Sequence, residues 1–316
     1  MDRERIFEFL IGHLARGEDC VLVTVLAVEG TSMRDPGAHV AVGRDGRFTG
    51  SLSGGCIENA VVAEAMATLA DGKPRITRFG AGSRFLDIRL PCGGGLDIHF
   101  QPLSENSLAA QCRKALSRRT PFSLTIPARG ADMEFASHWQ ATAFDARQQT
   151  ATIGHWPCAR LQIIGHGAAV ESLARLAGAM HMPSRILTPD VLLAKRLESQ
   201  SAQVAVLQMT ADTHLLASDP WTATIFLFHD HEWEAQLMAR ALEMPGFYIG
   251  AMGSRAAHAA RCEHLHRAGL SPEAVSTIDG PAGMFHSARN PDTLALSVLA
   301  KIIGTYQQCD FADEYG

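Results

Sequence analysis

Apolar and polar positions along the first hundred residues alternate between the spacings typical of helices and of strands. Within residues 4–16, Ile6, Phe9 and Leu10 fall on one face of an amphipathic helix. Residues 21–28 form an apolar, β-branched run that predicts a strand. Further elements are predicted at residues 39–42 (strand), 58–69 (helix), 88–90 (strand) and 96–102 (strand). Residues 1–103 are therefore expected to form a compact α/β domain.

The next stretch, residues 104–158, has weaker periodicity. A helix is predicted at 108–116, together with two or three strand-like pieces such as 122–126. This stretch is interpreted as the end of the first domain followed by a connector.

From residue 160 the pattern changes to a repeated order of strand, loop and helix. Residues 161–164 form a short apolar strand, and the alanine-rich residues 168–180 predict the helix after it. Further strands are predicted at 184–187, 204–207, 223–228 and 247–249. This alternation is typical of a parallel sheet covered on both faces. The predicted fold is α/β, an N-terminal α/β domain followed by a Rossmann-like, doubly wound parallel sheet over 159–316.

Composition narrows the classes of function. The 316 residues are 47% hydrophobic and 19% charged, which is ordinary for globular domains and sufficient for two of them. A net charge of −5 argues against a general nucleic-acid-binding protein. The sequence has no apolar run of membrane-spanning length, and its charged N-terminus does not resemble a signal peptide. The seven cysteines are scattered without a CxxC pair, which favours reduced thiols and a cytoplasmic protein.

Two segments place a cysteine beside consecutive glycines, at 50–58 (GSLSGGCIE) and at 91–95 (PCGGG). Glycine lets a ligand approach the backbone closely, and a helix start favours the thiolate form of a nearby cysteine. The combination suits an anionic ligand that contains sulfur or a metal. The alternatives are that Cys56 is a small buried hydrophobic residue, that Cys56 and Cys92 form a disulfide, and that Glu58 caps its helix. The candidate ligand-binding residues are Ser53, Gly54, Gly55, Cys56, Glu58, Cys92, Gly93 and Gly94.

The turn after the first strand of the second half contains Gly165 and Gly167. Two glycines at this spacing are typical of a dinucleotide-binding turn, in which a pyrophosphate meets the start of the helix. Val170 replaces the third glycine of that motif, and Asp190 is an imperfect match for its ribose-binding carboxylate. A nicotinamide cofactor is one interpretation, and a Rossmann fold whose crevice is empty or has another use is the alternative.

Three later segments are predicted to reach the carboxyl edge of this sheet, where open α/β folds bind ligands. They are 229–231 (HDH), 250–255 (GAMGSR) and 280–283 (GPAG). Gly253 and Ser254 can offer backbone donors at a helix start, and Arg255 can pair with a phosphate or be an ordinary surface cation. His229 is a candidate ligand-binding residue, either as a metal ligand with His231 or in a hydrogen-bonding or capping role.

One further loop contains a candidate anion-binding residue. Residues 30–38 (GTSMRDPGA) follow the first strand, and Arg34 within them can clamp a phosphate or belong to a salt-bridged loop. Taken together, the order of motifs resembles the XdhC/CoxI family over nearly the whole chain, apart from about 104–158. The segments that carry the resemblance are 30–38, 50–58, 91–95, 164–167, 247–255, 281–283 and 290–304.

The resemblance implies an accessory protein for molybdenum hydroxylases such as xanthine dehydrogenase and aldehyde oxidoreductase. Such a protein binds the molybdenum cofactor (molybdopterin or its cytosine dinucleotide form), protects it during sulfuration and inserts it into the apo-hydroxylase. The implied partners are the apo-hydroxylase, a cysteine desulfurase, cofactor biosynthesis enzymes and a second copy of the chain in a homodimer. On this interpretation Cys56 and Cys92 become candidate molybdenum contacts, and Gly165, Gly167 and 253–255 hold the phosphate or nucleotide end.

Two other classes of function remain open. One is an NAD(P)-dependent oxidoreductase that uses the Gly165-x-Gly167 turn, for which His229 and Asp230 are the nearest match to a hydride-transfer pair. The other is a thiol protein that transfers sulfur through Cys56 and Cys92. The cofactor chaperone differs from both because it requires no catalytic turnover of its own.

Overall fold

The structure is a computed structural model that describes residues 2–32, 34–52, 57–83, 93–198, 203–228, 232–285 and 289–312. Its contacts divide the chain into two compact units, Asp2–Pro157 and Cys158–Phe311. Each unit buries apolar side chains on both faces of a central sheet. Among the helices of these described ranges, none has both the length and the apolar composition needed to cross a membrane.

The described part of the N-terminal unit contains helices and two antiparallel sheets. In chain order its elements are α1 (Asp2–Leu14), β1 (Cys20–Glu29), β2 (His39–Gly43), β3 (Phe48–Gly50), α2 (Glu58–Asp71), β4 (Arg75–Gly80), β5 (Gly95–Leu103), α3 (Ser107–Ser117), β6 (Phe122–Ile126), β7 (Glu134–Ala136), β8 (Ala143–Asp145) and β9 (Thr150–His155). The first sheet has the strand order β3-β2-β1-β5-β4, and the second has the order β7-β6-β9-β8.

Strand β1 lies in the middle of the first sheet and is buried on both faces. Val21, Val23 and Val25 belong to the core that includes residues of α2. Leu22 and Leu26 belong to the other core, together with residues of α1, α3 and the second sheet. The side chains thus alternate with the period of two expected for a strand, and burial on both faces explains why the sequence is apolar without interruption there.

Residues 104–158, interpreted from the sequence as an extension or connector, form α3 and the second sheet. Leu108, Phe122 and Ile153 share a core cluster with Leu10 of α1. Strands β7 and β8 have three residues each, which is too short for a readable hydrophobic period. Strands β3 and β4 were not predicted either, and the strand predicted at 88–90 lies outside the described residues.

The C-terminal unit contains a parallel sheet with helices on both faces. In chain order its elements are β10 (Arg160–Gly165), α4 (Ala168–Ala179), β11 (Ser184–Thr188), α5 (Val191–Glu198), β12 (Gln203–Val206), β13 (Thr222–Leu227), α6 (Glu234–Leu242), β14 (Tyr248–Ala251), α7 (Arg255–Arg267), α8 (Pro272–Ser276), β15 (Ile278–Asp279) and α9 (Pro291–Gln308). One core cluster includes residues of α4, α5 and α9, and another includes residues of α6, α7 and α8.

The strand order of this sheet is β12-β11-β10-β13-β14-β15, with all described neighbours parallel. Counted from β10, this is the 3-2-1-4-5-6 order of a Rossmann fold. Successive strands are added towards one edge of the sheet from β10 to β12 and towards the other edge from β13 onwards. A crevice for ligands is expected at this switch point, at the carboxyl ends of β10 and β13. The predicted Rossmann-like, doubly wound sheet is confirmed.

Candidate functional site

A cavity of about 670 Å³ lies at the carboxyl edge of the parallel sheet. Its volume is in the range of sites for small molecules and cofactors. Its walls come from the start of α4, the loop from β14 to α7, and the loop from β15 to α9. The lining residues are Ala168, Ala169, Met252, Gly253, Ser254, Arg255, Pro281, Ala282, Phe285, Arg289, Asn290, Pro291 and Leu294.

Within the described part of the chain, three helices begin at this cavity. Ser254 caps α7 by accepting a hydrogen bond from the Ala257 N–H (3.1 Å), and Asn290 caps α9 by accepting from the Thr293 N–H (2.7 Å). Helix α4 differs, because its N-cap is Gly167, which has no side chain to accept such a bond. Since the first N–H groups of a helix lack partners within the helix and carry partial positive charge, α4 presents open donors to an anion.

The two glycines of the turn before α4 are required by the local backbone. A Cβ on Gly165 would overlap the Leu227 carbonyl oxygen of the neighbouring strand β13. Gly167 has φ +81° with an extended ψ, a conformation that side chains other than glycine rarely adopt. Neither glycine lines the cavity itself; together they fix where β10 ends and where α4 begins.

The charge of the cavity is opposite to that of the chain. None of its described lining residues is acidic, whereas Arg255 and Arg289 are both basic, in a protein of net charge −5. Among the described residues, neither guanidinium group has a hydrogen bond or an ion pair. Asp292, in the first turn of α9, is instead engaged by Arg175 (2.5 Å) and by the Ser172 hydroxyl (2.6 Å). The cavity is therefore suited to an anionic ligand.

A buried ion pair supports the wall of the cavity at the end of β14. Arg261 of α7 donates two hydrogen bonds to the Glu234 carboxylate, at 2.9 and 3.1 Å, and both side chains are less than 5% exposed. The same guanidinium donates to the Met252 carbonyl oxygen at 2.9 Å. This contact holds the backbone immediately before Gly253, Ser254 and Arg255.

The predicted ribose-binding carboxylate has a structural role. Asp190 Oδ1 accepts hydrogen bonds from the Leu192 and Leu193 N–H groups, both at 2.9 Å, at the start of α5. No residue of the β11–α5 connection is among the described residues that line the cavity. The cavity thus occupies the β14–β15 side of the sheet edge, away from the position where a Rossmann fold usually binds the adenosine of NAD.

The predicted site residues of the N-terminal unit are only partly described. Arg34 is half-buried in the β1–β2 loop, and its positive charge helps to lower the pKa of His39. Glu58 Oε2 accepts a hydrogen bond from the Ile57 N–H (3.1 Å) at the start of α2, and within the described residues no side-chain hydrogen bond caps this helix. Gly93 and Gly94 lead into β5, and a Cβ on Gly94 would overlap the Glu29 carbonyl oxygen.

The remaining predicted positions lie outside the described residues. They are Ser53, Gly54, Gly55, Cys56, Cys92 and His229. Within the described ranges there is no group of three or more histidine, cysteine, aspartate or glutamate side chains arranged to hold a metal ion.

The structure thus brings Gly253, Ser254 and Arg255 together at one cavity and adds residues that sequence analysis missed. Chief among them are Arg289 and Phe285, both on the loop from β15 to α9. A signal for this loop was present, because an Asn-Pro pair before an apolar run is typical of a capped helix start. What the sequence did not reveal is that this helix begins beside α4 and α7.

Both units match known protein families. A model described as the XdhC and CoxI family matches residues 13–80, and one described as the XdhC Rossmann domain matches residues 161–302. A probable xanthine dehydrogenase subunit of Bacillus subtilis (strain 168) is 24% identical over 320 residues, covering 91% of this chain and 93% of that protein. A crystal structure of a xanthine dehydrogenase from Bacillus halodurans has the same fold, with a TM-score of 0.79 at 20% identity, covering 99% of this chain and 98% of that one.

A more similar relative is the molybdenum cofactor insertion chaperone PaoD of Escherichia coli (strain K12). It is 34% identical over 306 residues, which cover 95% of this chain and 88% of that protein. Identity at this level over nearly the full chain, together with matches to both family domains, confirms the resemblance found in the motifs. The chain belongs to the XdhC and CoxI family.

Proposed function

We propose that this protein binds the molybdenum cofactor and delivers it to a molybdenum hydroxylase of the xanthine dehydrogenase or aldehyde oxidoreductase type. Support comes from the 34% identical relative, which is named as a molybdenum cofactor insertion chaperone. The observation that carries the proposal is the cavity at the three helix starts, which is basic and free of described carboxylates in an acidic chain.

The residues of the cavity match the chemistry of this cargo. Molybdopterin ends in a phosphate, and the open N–H groups of α4 and the unpaired Arg255 guanidinium are donors for a phosphate. Met252, Phe285 and Leu294 provide apolar surface for the uncharged part of a ligand. In this assignment the C-terminal unit binds the phosphate or nucleotide end.

The N-terminal unit has the proposed thiol role. Cys56 and Cys92 would contact the molybdenum or carry sulfur as thiolates while the cofactor is sulfurated. The proposed partners are an apo-hydroxylase, a cysteine desulfurase that supplies the sulfur, and the enzymes that make the cofactor. A homodimer is part of the same proposal.

An ordinary nicotinamide enzyme has less structural support than cofactor delivery. The Rossmann fold of such an enzyme is present, but Asp190, the expected ribose-binding carboxylate, caps α5 instead. The cavity also contains no described residue from the side of the crevice where NAD adenosine would bind. Fluorescence titration with NADH separates the two functions, since a dehydrogenase would bind it tightly whether or not pterin is present.

The experiment that tests the proposal measures cargo directly. The full-length protein is purified from a host that makes the cofactor; its pterin is quantified by fluorescence after acid oxidation, and its molybdenum by mass spectrometry. We expect both in the wild-type protein, and a loss of about tenfold or more in Arg255→Ala because a phosphate donor is removed. Arg267→Ala is the control, since Arg267 is an exposed residue of the same helix that pairs with Glu263.

Transfer is tested in a second step. Loaded protein is mixed with an apo-hydroxylase, and hydroxylase activity is followed with and without a cysteine desulfurase and cysteine. Wild-type protein should restore activity, and Cys56→Ala should fold and yet fail to do so. Absence of bound pterin, or hydroxylase activation no better than with free cofactor, would contradict the proposed function.

A further inference from the structure

Several strand ends of the first sheet of the N-terminal unit lie at one edge of that sheet. Strands β1, β3 and β4 end there, and β2 and β5 begin there, because all described neighbours in this sheet are antiparallel. The loop 30–38 connects β1 to β2, and the described residues 93–95 lead into β5. Two of the segments that carry the family resemblance are therefore brought to the same edge by the strand order.

The guanidinium group of Arg78 connects three chain segments at this edge. Its Nη1 donates a hydrogen bond to the Asp97 carboxylate of β5 at 2.8 Å, and its Nε donates to the Ala81 carbonyl oxygen after β4 at 2.7 Å. Its Nη2 pairs with the Glu29 carboxylate at the end of β1. Each nitrogen of the guanidinium thus has an acceptor on a different segment. The planar fork of arginine allows this arrangement, which we call the Arg78 clamp, and the single ammonium of lysine does not.

Two glycines at the start of β5 pack closely against the Arg78 clamp. A Cβ on Gly95 would lie 2.7 Å from Arg78 Nη2, and a Cβ on Gly94 would overlap the Glu29 carbonyl oxygen. The Gly94 carbonyl oxygen also accepts a hydrogen bond from the Ala81 N–H at 2.8 Å. Both glycines are therefore required for packing, and the space that a side chain would take is already filled.

Gly93 differs from the two glycines that follow it. Its φ is +71°, in the left-handed region that favours glycine. Apart from its chain neighbours, no described heavy atom lies within 4 Å of the position that a Cβ would occupy. The start of loop 30–38 is close by, because a Cβ on Gly30 would lie 3.3 Å from the Gly94 Cα. Of the three glycines, Gly93 is the one whose backbone a ligand can approach.

We propose that Arg78 is a positioning residue, which fixes Gly94 and Gly95 so that the open backbone of Gly93 receives the cofactor during sulfuration. The inference rests on the proposed function, because it refines the role given there to the N-terminal unit. It divides the glycine run into a ligand-facing Gly93 and two packing residues. Loss of the clamp should impair use of the cofactor more than its retention, because the phosphate end is assigned to the C-terminal unit.

Hydrogen exchange tests the clamp without any cargo. Amide exchange of the full-length, pterin-free protein is measured by mass spectrometry in peptides that contain residues 80–83 and 93–97. We expect Arg78→Met to accelerate exchange there about tenfold or more, because the segments lose their common partner. Arg78→Lys should fall well short of wild-type protection, since it keeps the charge without the fork. Wild-type exchange in Arg78→Met, or full protection in Arg78→Lys, would overturn the clamp.

The matched control is Arg75→Met. Arg75 lies on the same strand and is similarly exposed (26% against 30% for the Arg78 side chain), and it pairs with Asp71 and Glu64 of α2. Its loss should leave exchange in both peptides unchanged. Asp97→Asn is a second test that keeps the inference falsifiable if Arg78→Met does not fold. It removes the charge of one acceptor, so it should give part of the same acceleration, and wild-type exchange in this variant would contradict the clamp.

Transfer assays test the positioning role. Bound pterin, and the hydroxylase activity restored per bound pterin, are measured with a cysteine desulfurase and cysteine present. We expect Arg78→Met to keep its pterin within about twofold of the wild type and to lose about tenfold or more of the activation per pterin. Gly93→Asn should lose activation likewise without a lower unfolding midpoint, because asparagine tolerates a positive φ. Arg75→Met should match the wild type in both measurements.

The outcomes keep the two proposals apart. Wild-type activation per pterin in Arg78→Met or in Gly93→Asn would refute the positioning role and leave the proposed function standing. A wild-type protein without pterin would contradict the proposed function, and the exchange measurement would still decide whether Arg78 holds the glycine run.

Discussion

At the scale of single residues, burial determines which cysteines can react. Cys20 and Cys112 are fully buried, and burial raises the pKa of both thiols, that of Cys20 to about 12. A thiol held in its protonated form is a poor nucleophile. Cys158, Cys262 and Cys309 are partly exposed.

Alkylation of the native protein measures this difference. We expect iodoacetamide to leave Cys20 and Cys112 unmodified until urea is added, whereas the partly exposed cysteines react first, as read by peptide mass spectrometry. The same labelling pattern also tests the proposed thiol role, because that role requires Cys56 and Cys92 to react with iodoacetamide in the native protein. Rapid native labelling of Cys20 or Cys112 would contradict the packing described above.

A buried histidine pair connects the two sheets of the N-terminal unit. His39 of β2 and His155 of β9 have their Nε2 atoms 3.2 Å apart, and the Thr24 hydroxyl lies 2.8 Å from His39 Nδ1. Burial lowers the pKa of His39 to about 3 and that of His155 well below its usual value, and the charge of Arg3 adds to both effects. Both rings are therefore neutral in the folded protein at neutral pH.

This pair predicts loss of stability in acid. Below about pH 6.5 the unfolded chain binds protons at these histidines and the folded chain does not, so the free energy of unfolding falls as pH decreases from there towards the folded pKa values. Each histidine contributes a slope of up to about 1.4 kcal/mol per pH unit. The non-titrating variant His155→Gln should reduce this slope in urea titrations between pH 5 and 8. The exposed His138→Gln is the control, and identical slopes in both variants would disprove the assignment.

At the scale of elements, the ion pair between α6 and α7 is expected to stabilise the cavity wall. Replacing Glu234 with glutamine leaves the Arg261 charge buried without its partner, which typically costs about 3–5 kcal/mol. We therefore expect Glu234→Gln to lower the unfolding midpoint strongly in guanidinium and to weaken ligand binding through the Met252 carbonyl contact. The exposed pair Arg267–Glu263 gives the matched control. Glu263→Gln should change stability by less than about 1 kcal/mol, and a similar loss in both variants would show that burial of the pair is unimportant.

The start of α4 shows how one element can serve both fold and ligand. The N-cap of α4 is Gly167, whose positive φ suits glycine and few other residues. Because glycine has no side chain, the first N–H groups of α4 have no side-chain acceptor. Helices α7 and α9 have Ser254 and Asn290 as caps and depend less on a ligand for their N-terminal hydrogen bonds. Of the three helices, α4 is the one whose start gains most from a bound anion.

At the scale of the whole molecule, a cavity whose described charged residues are basic lies in a chain of net negative charge. The net charge of −5 favours repulsion of anions in general, and the cavity attracts them locally. Such an arrangement suits a carrier of one anionic cargo. It does not suit a protein that binds polyanions over a broad surface.

Local sequence was sufficient for most elements and for the class of fold. The strand at β1, the helix at α4 and the glycine turn between β10 and α4 depend on neighbouring residues, so periodicity and backbone preference predict them. The short strands β7 and β8 escaped prediction because their stability comes from pairing with β6 and β9, not from their own residues.

The sequence by itself determined the Rossmann-like alternation, the family motifs and the candidate cations such as Arg255. Only the tertiary structure decided that α4, α7 and α9 begin at one cavity, that Arg289 joins Arg255 there, and that His39 meets His155 across 116 positions. The physical reason is that strand order and sheet packing place distant residues side by side. Those contacts depend on the whole core, and no local pattern encodes them.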